Sequence, residues 1–124
     1  MNTILSLSQI GAADRGRVGG KAHALARARQ GGFQVPGTLC LAVELYHEFV
    51  DRAGLRERIQ LELHRKPFEQ MRWEEIWDCA LRIRSRFLTA PMPETLGRRL
   101  AEAIAYRFSD RAVVVRSSAP EEDT

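Results

Sequence analysis

The sequence predicts a mixed α/β (α+β) fold in which several helices pack on a small sheet. Three observations lead to it. An alanine-rich run, Ala22-His23-Ala24-Leu25-Ala26-Arg27-Ala28-Arg29, follows a glycine pair. Four later segments space their apolar residues at helical intervals. Short apolar stretches near Ile4, Leu39 and Val113 have the shape of strands. With 124 residues, 44% hydrophobic and 28% charged, the chain is long enough to bury a core and amounts to one domain or a piece of one.

Taken in order, Ile4-Leu5-Ser6-Leu7 alternates weakly and reads as a short strand, followed by a loop from Gln9 to Val18 that carries Asp14, Arg15 and Arg17. A first helix from Lys21 to Gln30 ends at Gly31-Gly32, and its many alanines suggest close packing on a sheet. Val35-Pro36-Gly37 then turns the chain into a buried strand over Thr38 to Leu41. A second helix, Val43 to Arg52, puts Leu45, Phe49 and Val50 on one side and closes at Gly54. A short helix from Leu55 to His64 has Leu55, Ile59 and Leu63 in register and stops at Lys66-Pro67.

The next helix, Trp73 to Leu88, carries Ile76, Ala80, Ile83 and Phe87, and Trp73 and Trp77, four apart, read as a core stripe. Pro91-Met92-Pro93 separates it from a helix over Pro93 to Phe108, with Leu96, Leu100, Ile104 and Phe108 at a four-residue step. Val113-Val114-Val115 reads as an interior strand, apolar on both faces.

Several function classes drop out on composition. No apolar run approaches the ~20 residues of a membrane helix, and Met1-Asn2-Thr3-Ile4 lacks the basic and apolar regions of a signal peptide. The expectation is a cytoplasmic chain with no membrane partner. The net charge is +3, but the 19 basic residues are interspersed with 16 acids, as in Arg56-Glu57-Arg58, which describes a solvated helix surface and no nucleic-acid groove. Cys40 and Cys79 lie in apolar surroundings without metal-ligand spacing and read as buried, reduced thiols. His23, His47 and His64 fall on separate helices with no catalytic partner in sequence, so neither catalytic nor metal-binding residues are assigned.

Two stretches carry chemistry. In Val18-Gly19-Gly20-Lys21, two residues without Cβ allow a sharp turn and a close ligand approach. The helix behind them aims unpaired N–H groups and a positive dipole end at the turn, and Lys21 adds a full charge. This is neither a Walker A loop nor a dinucleotide fingerprint. It reads either as a phosphate-binding corner or as a helix start with a solvated lysine. The second stretch is Val113-Val114-Val115-Arg116-Ser117-Ser118-Ala119. An arginine following directly on a strand sits where ligands collect in α/β folds, and its planar fork suits phosphate oxygens; Ser117 and Ser118 add hydroxyl donors. The alternative is an arginine paired with Asp110 or Glu122.

In this order, Val18-Gly19-Gly20-Lys21-Ala22, Phe33-Gln34-Val35-Pro36-Gly37 and Val113-Val114-Val115-Arg116-Ser117-Ser118-Ala119 with Glu122-Asp123 resemble the N-terminal part of the ATP-binding domain of the phosphoenolpyruvate synthase and pyruvate phosphate dikinase family. The rifampin phosphotransferases share that domain. The resemblance covers essentially the whole chain. It implies that residues 1–124 are a single partial domain, the first subdomain of an ATP-grasp-like nucleotide-binding domain. It further implies phosphate contacts from Lys21 and Arg116, with ATP and, in the intact enzyme, Mg2+ as cofactors; the reading of the residues themselves adds Gly19, Gly20 and Ser117 to that phosphate site.

Pro120-Glu121 departs from the family's usual Thr-Ala at that place. The metal-binding acids, the phosphohistidine and the acceptor domain would belong to the remaining domains of the parent enzyme, which are the implied partners. The acids Glu121, Glu122 and Asp123 read as a solvated charge run. The function implied is the ATP-binding part of a dikinase that passes a phosphoryl group through an absent histidine to pyruvate, with the piece inactive alone. The alternatives are the ATP domain of an antibiotic phosphotransferase, or a non-catalytic binding module of the same fold.

Overall fold

The computed structural model describes residues 2–120. Its regular elements are β1 (Ile4–Ser6), α1 (Arg15–Gln30), β2 (Leu39–Leu41), α2 (Val43–Arg52), α3 (Leu55–Leu63), α4 (Trp73–Thr89) and α5 (Glu94–Phe108). The predicted class holds: among the described residues, five α-helices accompany a two-stranded sheet. The chain divides into two compact units. One contains the residues up to His47 and those from Thr95 onward, and the other spans Glu48–Glu94.

In the first unit, β1 and β2 pair antiparallel, with Ile4 opposite Leu41, Leu5 opposite Cys40 and Ser6 opposite Leu39. Just beyond the ladder, the Ala42 N–H donates to the Thr3 carbonyl at 2.8 Å. Leu5 and Cys40 face inward and meet Val18, Ala22 and Ala26 of α1, with Leu7, Ile10 and Ala42 completing the core. Ala22 and Ala26 lie one helical turn apart on the buried side, and their single methyl groups let α1 come close to the sheet. Leu96 of α5 is also fully buried.

The C-terminus of α1 is closed by the predicted glycines. Gly32 takes φ +91° and donates to the Arg29 carbonyl at 3.1 Å, while the Phe33 N–H reaches the Ala28 carbonyl at 3.0 Å. This reciprocal pair of bonds satisfies carbonyls that the helix end would leave open.

In the second unit α3 packs on α4. A carboxylate supplies its central polar contact: Glu62, 3% exposed, accepts Arg82 Nε at 2.7 Å and Arg65 Nε at 3.0 Å. The buried Cys79 thiol donates to the Glu62 carbonyl at 3.5 Å. A buried carboxylate is tolerable only with such partners. Phe49 stacks on Phe87 with ring centroids 6.1 Å apart. A cavity of 510 Å³ lies beside these helices, lined by apolar groups including Leu63, Phe68, Met71, Ile76 and Ile83.

Three expectations need correction. Trp73 and Trp77 are 68% and 61% exposed and form an edge-to-face pair at 6.2 Å instead of a core stripe. At ~100° per residue, both indoles point away from the side on which Cys79 is buried, so the inward face of α4 is the one shared by Ile76, Cys79, Ile83 and Phe87. Val113, Val114 and Val115 form no strand and are 49%, 87% and 91% exposed. A valine run has the propensity for a strand, but a strand also requires a neighbour to accept its backbone bonds, and among the described residues none lies alongside. The segment between Gln9 and Val18 is also more ordered than a loop, with a 3-10 turn at Ala12–Asp14 and one α-helical turn after it.

Candidate functional site

The glycine turn interrupts α1. Gly19 has φ +83° and ψ 169°, outside the helical region, so the helix halts after Val18 and restarts at Gly20. That region of backbone space is essentially restricted to glycine. The consequence is a second helix N-terminus at Gly20, with Lys21, half-buried, in its first turn. The sequence expectation of a helix beginning at Lys21 therefore describes the part of α1 that lies beyond the break.

Arg17 braces the turn on its N-terminal side. Its guanidinium gives Nη1 to Asp14 Oδ1 at 3.0 Å, Nε to Glu44 Oε1 at 2.5 Å and Nη2 to the Asn2 carbonyl at 2.6 Å. One planar fork thus ties together the start of the chain, the turn before the glycines and the start of α2. Asp14 is in addition engaged by the Gly11 N–H at 2.8 Å. That backbone donor, followed by Arg17, holds the Asp14 carboxyl below the ordinary carboxylate range. Glu44 is lowered by its own backbone N–H and by Arg17, and the two acids raise the Arg17 guanidinium. With these bonds Arg17 is a structural cation. Sequence reasoning left this cluster unassigned; the three-residue spacing of Asp14 and Arg17 was the available signal, whereas Glu44 joins only through the fold.

From the far end of the chain, Ser118 Oγ donates to the Val18 carbonyl. The backbone of Ala119 lies flat against Gly19: a Cβ on Gly19 would stand 2.8 Å from the Ala119 carbonyl oxygen, 3.1 Å from its carbon and 3.2 Å from its nitrogen. The structure therefore brings together the two stretches singled out in the sequence, one hundred positions apart. Gly19 and Gly20 form the turn, Lys21 opens the helix, and Arg116 and Ser117, both exposed, immediately precede the docked Ser118. Ser118 turns its hydroxyl onto the protein backbone instead of offering it outward. No ion pair joins Arg116 to Asp110 among the described residues, and Glu122, with Glu121 and Asp123, lies outside them.

The arrangement gathers a lysine, the donors of a helix N-terminus and, close in the chain to the docked segment, an arginine. These groups stabilise negative charge, and nothing in the set is a nucleophile or a general base. No helix of the described residues is long and apolar enough to cross a membrane.

Comparison with known proteins bears on this geometry. The family described as "Pyruvate phosphate dikinase, AMP/ATP-binding domain" matches residues 15–124. Phosphoenolpyruvate synthase of Neisseria meningitidis serogroup B is 30% identical over 131 aligned residues covering 98% of this chain. The enzyme of the same name from Pseudomonas aeruginosa is 28% identical over 97% of the chain, and that from Aeropyrum pernix 34% over 86%. The chain spans only 16% of the first two relatives' length and 13% of the third's.

Proposed function

Because the chain belongs to the pyruvate phosphate dikinase AMP/ATP-binding domain family, we propose that it is the ATP-binding part of a phosphoenolpyruvate synthase-like dikinase. In this reading residues 1–124 are one partial domain, the first subdomain of an ATP-grasp-like site. Lys21 and Arg116 neutralise the nucleotide phosphates. The N–H groups around Gly19 and Gly20 and the Ser117 hydroxyl complete their coordination. The observation that carries the proposal is the docking of Ser118 and Ala119 on Val18 and Gly19, which connects the glycine-lysine turn with the arginine segment.

Electrostatic positioning of this kind is most of what a protein must supply for phosphoryl transfer. Mg2+ would neutralise the phosphate oxygens further. Among the described residues no three His, Cys, Asp or Glu side chains gather to hold a metal. This reading assigns the metal ligands, the phosphohistidine and the pyruvate site to the rest of a parent enzyme, since the chain spans only 16% of the first two relatives' length, and has the chain alone inactive.

The test is a calorimetric titration of Mg-ATP into the chain, with Lys21→Ala and Arg116→Ala in parallel. A hydrogen bond to a charged group contributes about 1.5–3 kcal/mol, so each substitution should weaken binding by roughly ten- to a hundredfold. ATP binding that neither substitution changes refutes the site. Conversion of ATP and pyruvate to phosphoenolpyruvate and AMP by the 124-residue chain refutes the assignment of the remaining steps to other domains.

A further inference from the structure

We infer that Ser118 is a positioning residue: its hydroxyl seats the arginine segment on the glycine turn and so sets nucleotide affinity through Lys21 and Arg116 without touching the nucleotide itself. The inference rests on the ATP-binding reading above. It assigns to Ser118 a role distinct from that of the adjacent Ser117.

Three features of the structure support it. First, residues 111–120 contain no helix or strand and are exposed throughout, so no backbone ladder or buried side chain holds Arg116 in place. The described anchors of this segment at the turn are the Ser118 bond to the Val18 carbonyl and the contact of Ala119 with Gly19.

Second, the receiving surface is rigid. Val18 is 1% exposed and belongs to the core, and Arg17 beside it is fixed by Asp14, Glu44 and the Asn2 carbonyl. A hydroxyl bonded to a fixed carbonyl transmits position, whereas one bonded to a mobile side chain would not.

Third, the accepting carbonyl belongs to the residue just before Gly19, where α1 breaks. The helix interruption exposes a backbone acceptor that an unbroken helix would direct to its own N–H four residues on. The glycine break thus does two things at once: it creates the helix start carrying Lys21 and frees the acceptor that receives Ser118.

If the serine only added stability, its loss would move unfolding and affinity together. A positioning role separates them, because an exposed irregular segment contributes little to the core. The experiment compares the full 124-residue chain with Ser118→Ala and Ser118→Thr, measuring Mg-ATP affinity, the thermal unfolding midpoint and amide hydrogen exchange of Gly19, Gly20 and Ala119 without ligand.

Ser118→Ala should weaken Mg-ATP about tenfold, near the upper end for loss of one neutral hydrogen bond, with the midpoint unchanged. Amide exchange at Gly19, buried beneath Ala119, should accelerate by a similar factor. Ser118→Thr, which keeps the hydroxyl, should restore both. Unchanged affinity and exchange in Ser118→Ala overturn the inference, as does a loss that threonine fails to restore or one matched by a lowered midpoint. If the wild-type chain binds no Mg-ATP, the ATP reading fails for this chain. The seat is then judged by exchange: acceleration in alanine with recovery in threonine supports it, and unchanged exchange overturns it.

Discussion

Replacing Gly19 with alanine places a single methyl group where the structure has no room for it. Two penalties arise. The backbone at φ +83° and ψ 169° lies in a region from which a Cβ is nearly excluded, at a cost of about 1–3 kcal/mol. The new Cβ would also stand 2.8 Å from the Ala119 carbonyl oxygen. Because the obstacle is backbone, no rotamer change relieves the contact, and Ala119 must move. Displacing it would also unseat Ser118 from the Val18 carbonyl.

The expected loss is therefore at least the backbone penalty of about 1–3 kcal/mol, a sizeable fraction of the ~5–15 kcal/mol that holds a typical domain together. Gly16 provides the contrast. It lies one turn earlier in the first part of α1, a Cβ there meets nothing within 4 Å, and its φ is not positive. Gly16→Ala should therefore stabilise by about 0.4–1 kcal/mol through the unfolded chain's lost freedom. Urea unfolding of both variants, followed by circular dichroism, tests the pair. A Gly19→Ala variant within about 0.5 kcal/mol of wild type, where surface substitutions fall, would refute the glycine-turn geometry and the docking built on it.

Two further predictions concern stability alone. Ser109, just past α5, has φ +54°, a left-handed conformation costly to a residue with a Cβ; Ser109→Gly should raise stability by about 1 kcal/mol in thermal or urea unfolding. Asp14, Glu44, Glu62 and Glu75 all have carboxyls lowered from ordinary values of 3.8 for Asp and 4.5 for Glu: Asp14 chiefly by the Gly11 N–H, Glu44 by its own N–H, Glu62 by Arg82, and Glu75 by Lys66. In acid the unfolded chain takes up protons before the folded one, so the stabilisation is complete above about pH 4.5–5 and is lost as pH falls through the lowered values. Urea midpoints measured from pH 7 to pH 3 should be flat and then drop, and Glu62→Gln should flatten the drop; a decline beginning at neutral pH would contradict this assignment.

Much of the architecture was legible because it is local. The α1 stop at Gly31-Gly32, the alanines of its buried side, the strand β2 soon after Pro36-Gly37, and the Leu45 and Val50 face of α2 follow from backbone freedom and helical spacing over a few residues. The glycine-lysine corner belonged to the same class: a glycine pair before a helical run marks a turn whatever surrounds it. The ordered set of motifs then marked the family, although each motif alone was ambiguous.

What stayed hidden depends on which groups meet across the fold. Spacing could say that Trp73 and Trp77 share a helix face, but the opposite face was the one that found α3. Hydropathy could give Val113 to Val115 the character of a strand, but a strand is a relation between two segments, and none of the described residues supplies its partner. Glu62 looked like a solvated charge until folding set Arg82 beside it, twenty positions later. The docking of Ser118 on Val18 is the extreme case, since one hundred residues separate donor from acceptor. Composition and local pattern describe what each segment can do, while burial, pairing and sites arise from juxtaposition, which no short stretch of sequence contains.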